Sequence, residues 1–139
     1  MIQLAQPALR KVIQVSTDGN TWYTVGGLND ASISRGGEIL DDTEFDENHD
    51  GFRSRMASLR DWSVNASGDY DSTDTTGQGA ILAAWIDGTP LHVKYLPAGT
   101  SGGGVKGQCV VESIDEGGAV ADKETFSFVL QADGKLEAV

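Results

Sequence analysis

Leu59-Arg60-Asp61-Trp62-Ser63-Val64-Asn65-Ala66-Ser67-Gly68-Asp69-Tyr70-Asp71 is the stretch that decides the fold. Trp62, Val64, Ala66, Gly68 and Tyr70 occupy alternate positions, and Asp61, Ser63, Asn65, Ser67, Asp69 and Asp71 fill those between. Successive side chains of a strand point to opposite faces. A period of two therefore predicts an antiparallel strand with one buried face and one wet, acidic face.

Working outward, other segments follow the same rule. Residues 11–16 and 22–25 flank Thr17-Asp18-Gly19-Asn20, whose Asp-Gly predicts a hairpin turn. Residues 31–40, 91–96, 105–114 and 125–132 are the further predicted strands, and the last places Phe126, Phe128 and Leu130 on one face. Asp115-Glu116-Gly117-Gly118 reads as the turn before that last strand. One helix is predicted. Thr75-Thr76-Gly77-Gln78 fits a capping box, Ile81, Leu82, Trp85 and Ile86 supply an apolar stripe, and Gly88 with Pro90 stops the helix. Many short strands, 18 glycines and one short helix predict a mainly β protein, an antiparallel β-sandwich or barrel, with residues 1–139 as a single domain.

Two segments read as loops. Residues 41–51 hold Asp41, Asp42, Glu44, Asp46, Glu47 and Asp50, and their self-repulsion predicts an exposed segment that orders only against a partner. Residues 97–104 are rich in Gly and Ser.

Composition excludes several function classes. Ten Lys+Arg against 21 Asp+Glu give a net charge of −11, which opposes tight binding to phosphate backbones. Cys109 is the single cysteine, so no intramolecular disulfide is available. The first residues lack a basic stretch followed by an apolar run, so no secretory signal is expected, and no stretch approaches the ~18 apolar residues of a membrane span. Asp46, Asn48, Asp50 and Gly51 reproduce half of a calcium loop, but the position of the bidentate Glu is Ala57. His49, His92 and Cys109 are too scattered for zinc, and no Gly-x-Ser-x-Gly elbow is present. The run at residues 99–104 leads into a strand, not a helix, which excludes a phosphate cradle. No catalytic residue, metal or cofactor is expected. A chain of this kind works by its shape and surfaces.

The order of the pieces resembles the major tail proteins, the tail tube subunits, of bacteriophages with long non-contractile tails (siphophages). Three stretches carry the likeness: the opening hairpin leading into Val25-Gly26-Gly27-Leu28-Asn29-Asp30-Ala31-Ser32-Ile33-Ser34; the strand–helix–strand segment at 62–96; and Gly107-Gln108-Cys109-Val110-Val111-Glu112-Ser113 followed by Thr125-Phe126-Ser127-Phe128-Val129-Leu130-Gln131. The resemblance implies a virion structural protein whose subunits join into hexameric rings around an inner barrel. Rings stack into a tube that is assembled in the host cytoplasm around a tape measure protein, is closed by tail terminator and tail-tip proteins, and lets DNA pass without specific binding. On that reading Asp61, Asp69 and Asp71 are candidates for the lumen wall, and the acidic segment from Asp41 to Asp50 for contact between rings; deleting residues 43–48 is expected to spare the fold and weaken stacking. Two alternatives stand beside it. One is a tail-end, baseplate or secretion-system ring of the same superfamily. The other is a carbohydrate-binding β-sandwich using aromatics such as Trp22 and Tyr23.

Overall fold

The alternation at residues 62–68 becomes one side of the longest hairpin in the molecule. The computed structural model describes residues 11–41, 52–100, 102–119 and 123–139. Its elements are β1 (Val12–Ser16), β2 (Tyr23–Thr24), β3 (Leu28–Asp41), β4 (Arg55–Asp69), α1 (Gln78–Asp87), β5 (Leu91–Leu96), β6 (Val105–Gly117), β7 (Thr125–Ala132) and β8 (Glu137–Ala138). The strands form one eight-stranded sheet in the order β2-β1-β5-β6-β7-β4-β3, with β8 also on β6. Every pairing is antiparallel.

The sheet folds over on itself at β6. Val105 to Cys109 pair with β5, Cys109 to Gly117 pair with β7, and the register shifts between Val111 and Ser113. A bulge sharpens the local twist and lets one strand serve two layers. Between the layers lie Ile13, Val15, Leu91 and Val93 from one side and Val64, Ala66, Phe126, Phe128 and Leu130 from the other. The alternation read from the sequence is visible directly: Trp62, Val64, Ala66 and Gly68 are buried while Asp61 and Asn65 are exposed. Gly68 is obligatory here, because a Cβ would collide with the carbonyl of Gly27, just before the paired strand.

Four expectations need correction. β4 ends at Asp69, so Tyr70 and Asp71 leave the strand register, and Tyr70 is 40% exposed. β6 continues to Gly117, with Asp115 opposite Ser127 and Glu116 opposite Phe126, so the expected turn is strand. The helix start is also built differently. Gly77 is the cap residue and no side-chain cap forms from Thr75. The carboxylate of Asp74 takes that place, accepting from the backbone N–H of Gly77 (3.1 Å), Gln78 (3.1 Å) and Gly26 (2.7 Å). A charged acceptor that joins two chain segments outcompetes a neutral hydroxyl that serves one. The buried stripe of α1 is Gln78, Ile81 and Ala84, whereas Trp85 (53%) and Ile86 (66%) face outward. The C-terminal stop is as expected: Gly88 is left-handed at φ 69° and donates to the carbonyl of Ala84.

Gln78 is 2% exposed and is the latch between the helix and the sheet. Its amide nitrogen donates to the carbonyls of Gly26 (2.8 Å) and Asp69 (3.0 Å), and its oxygen accepts from the N–H of Asp71 (2.9 Å). Gln78→Ala leaves these buried backbone groups unpaired. The expected loss is about 2 kcal/mol or more, read as a lower denaturant midpoint at unchanged slope.

Candidate functional site

The outward face of the β3-β4-β7-β6 layer is largely polar. Strand register assembles it in cross-strand rows. Ser34, Ser63, Gln131 and Val110 form one, Ser32, Asn65, Val129 and Ser113 a second, and Asp30, Ser67, Ser127 and Asp115 a third. The rows are mostly hydroxyls, amides and carboxylates, with Val110 and Val129 among them and without Lys or Arg. The expected face is therefore present, but it is polar with scattered acids, not densely acidic.

The candidate wall residues do not form a cluster. Asp61 is opposite Gly36, and its carboxylate accepts from the N–H of Trp62 at 2.9 Å. Asp69 lies eight residues along the same strand, on the order of 26 Å away at a rise of ~3.3 Å per residue. It is ion-paired with Lys123 at 3.2 Å. Asp71, outside the strand, accepts from the hydroxyl (2.6 Å) and N–H (3.0 Å) of Thr73, and these bonds hold its carboxyl below the usual carboxylate range. It organises the loop before α1. Asp30 and Asp115 belong to the face, yet the sequence reading did not select them. Only the register, which brings distant strands side by side, reveals them.

Beyond Arg35 and Trp62 the β3–β4 hairpin leaves the core as an arm. No described residue between Ile33 and Trp62 is buried. The arm is nonetheless apolar: Ile39 pairs with Ala57 and Leu40 with Met56, and Ile39, Leu40, Phe52, Met56 and Leu59 are all exposed, the last by 74%. Asp41 closes it through an ion pair with Arg53 at 2.9 Å. The remaining candidates of the acidic segment, Asp42, Glu44, Asp46, Glu47 and Asp50, lie outside the described residues, as does the half calcium loop.

Besides the two-residue strands β2 and β8, which each pair on one side only, two longer stretches of edge are open among the described residues. β3 pairs with β4 alone, and β6 beyond Cys109 pairs with β7 alone. Open edges of this length invite pairing with another chain.

Chemistry is less well provided for. Among the described residues no group of three or more His, Cys, Asp and Glu is placed to hold a metal. Cys109 is fully buried, its thiol donating to the carbonyl of Leu91 at 3.2 Å, and burial pushes its pKa up to about 12. His92 pairs with Gln108 in the neighbouring register position and packs against Trp22, with ring centroids 6.5 Å apart. Trp22 in turn carries the ammonium of Lys94 at 4.4 Å from its ring centre, so that face is not a free stacking platform. The thiol should resist alkylation at pH 8 and react once per chain only on unfolding. Because the folded pKa is raised above the ordinary 9.0, stability should fall as pH climbs from 9 toward 12; equal stability at both ends, by chemical denaturation, would contradict the burial.

The fold has well-matched counterparts among solved structures. The tail of an empty gene transfer agent particle, refined helically with C6 symmetry, matches at TM-score 0.79 with 22% identity over 97% of this chain and 99% of that one. The SPP1 tail tube matches at TM-score 0.67 and 17% identity, over 93% of this chain and 74% of that one. A protein of the anti-feeding prophage baseplate matches at TM-score 0.63 and 10% identity, over 100% and 97%. No curated protein sequence matches the chain. The family model described as phage tail tube protein, however, spans residues 5–138, nearly the whole length, and the chain belongs to the phage tail tube protein family.

Proposed function

We propose that this chain is the repeating subunit of a virion tail tube, acting as structure and not as an enzyme. Six copies close into a ring, in which the open β3 edge of one copy meets the open half of β6 in the next. A head-to-tail contact of this kind closes if the rotation allows it, and otherwise runs on as a filament. The polar layer β3-β4-β7-β6 then becomes a continuous barrel around the lumen, and rings stack through the arms. The observation that carries this reading is the coincidence of open edges on β3 and β6 with an outward face whose strand rows hold no Lys or Arg. Such a wall offers DNA few cations to hold, with Lys123 neutralised by Asp69, so a duplex slides past with few counterion-releasing contacts.

The tape measure, terminator and tail-tip proteins are the partners that this role requires, with assembly in the host cytoplasm before packaging into the virion. Negative-stain electron microscopy of the purified chain tests the proposal: six-fold rings or tubes are expected. Single rings that never stack would point to a tail-end or baseplate position, and a persistent monomer at all concentrations and salts would defeat it. The wall is tested separately. Replacing Asp30, Asp61 and Asp69 by Lys should leave tubes intact at moderate salt and slow DNA ejection in a salt-dependent way. Ejection at the parent rate would place this face elsewhere.

A further inference from the structure

The chain has about half as many cations as acids, yet among the described residues only Arg53 and Lys123 are ion-paired, and three of the remaining cations share one place. Arg35, Arg60 and Lys135 line one open cleft of about 670 Å³ between the root of the arm and the C-terminal segment. No side chain of the three makes an ion pair or a hydrogen bond among the described residues. The one carboxylate in the lining, Asp61, is already held by the N–H of Trp62. Arg35 lies opposite Trp62 and Arg60 opposite Gly37, so the two arginines are diagonal neighbours on one side of the hairpin. Diagonal neighbours stand roughly 7–8 Å apart, within reach of long side chains, and like charges so placed repel. Gly37 keeps the space open, since a Cβ there would sit 3.1 Å from Cγ of Arg60. The floor is firm: the indole N–H of Trp62 donates to the carbonyl of Gly134 at 3.1 Å, tying arm root to C-terminal segment. Leu59 and Leu136 add apolar walls.

We propose that this cleft is the receptor for the acidic segment Asp42–Asp50 of a second copy of the chain. The inference rests on the copy-to-copy assembly proposed above, and it names the contact. Charge complementarity selects the occupant. That segment carries Asp42, Glu44, Asp46, Glu47 and Asp50, the densest run of carboxylates in the sequence, and an arginine pair binds carboxylates through paired N–H donors. The arm also sets the start of the segment apart from the cleft of its own chain. From the Gly37–Arg60 pair to the Asp41–Arg55 pair the arm runs outward by four or five residues, on the order of 15 Å. Asp41, the residue from which the segment departs, therefore stands on the order of 15 Å from the cleft of its own chain.

The test uses the full chain in two charge-reversed forms. R35E/R60E makes the cleft acidic, and D46K/E47K makes the segment basic. Each alone should reduce sedimentable polymer about tenfold or more relative to the parent, with an unchanged thermal melt. An equimolar mixture of the two should restore polymer to near the parent level, because each then offers what the other lacks. Polymer as abundant as the parent from either single form overturns the proposal. Restoration only when all four changes are in one chain assigns the contact to the same copy, and absence of restoration in both settings assigns the arginines to another partner; either result overturns it. If R35E/R60E melts early, R35Q/R60Q replaces it, with an intermediate loss expected and no loss decisive against. A parent that never forms rings fails the assembly reading itself, and that failure is seen before any variant is made.

Discussion

Replacing residues 37–60 by a two-residue Asn-Gly turn should abolish tube formation altogether while the rest of the chain stays folded. Gly36 and Asp61 are register partners, so a tight hairpin can join them without disturbing the strands below. The core does not depend on what is removed, because no described residue in that span is buried. A shorter connection also lowers the closure entropy of the unfolded chain, so stability should change by no more than about 1 kcal/mol. Assembly, in contrast, loses Ile39, Leu40, Met56 and Leu59 together, all exposed in the isolated chain. Burying a side chain of that size contributes on the order of 1.5–3 kcal/mol, and a ring or stack multiplies that over its copies. Analytical sedimentation and electron microscopy read the result. Tubes from the trimmed chain would show that the arm is an ornament, and loss of its cooperative melt would show that it belongs to the core.

Phe128→Ala should have the opposite profile, destroying the subunit before assembly is at issue. Phe128 is 1% exposed, sits 5.8 Å ring to ring from Phe126, and lies in register with Ala66 on one side and Ile114 on the other. Small partners such as Ala66 cannot expand into the space left behind, so a cavity persists. The expected cost is about 3–5 kcal/mol, a large share of the ~5–15 kcal/mol that holds a domain together. For a chain of this length the midpoint should drop on the order of 10–20 °C. Ile86→Ser on the exposed side of α1 is the matched control, with a change within about 0.5 kcal/mol. If Phe128→Ala melts with the parent, the two layers are not packed as described.

Much of this arrangement was legible in the residues alone. Strand alternation is a local property, since each residue turns its side chain over relative to the last, and residues 62–68 declared their buried side without any neighbour. The single helix, its left-handed stop at Gly88 and the Phe126, Phe128 and Leu130 face are equally local, and so is the family likeness that their order carries. What the residues did not disclose depends on chain segments far apart. Asp74 replaced Thr75 at the helix start because Gly26, 48 positions earlier, presents a third N–H to the same carboxylate. Asp71 left the acidic face because Gln78 and Thr73 bind it and end the strand first. Asp30 and Asp115 joined that face because register aligns β3 with β4, β4 with β7 and β7 with β6. The arginine cleft exists because the C-terminal segment returns to the root of the arm. Alternation tells each side chain which way to point along its own strand. Which strands become neighbours, and therefore which charges share a surface, is settled only when the sheet closes over its core.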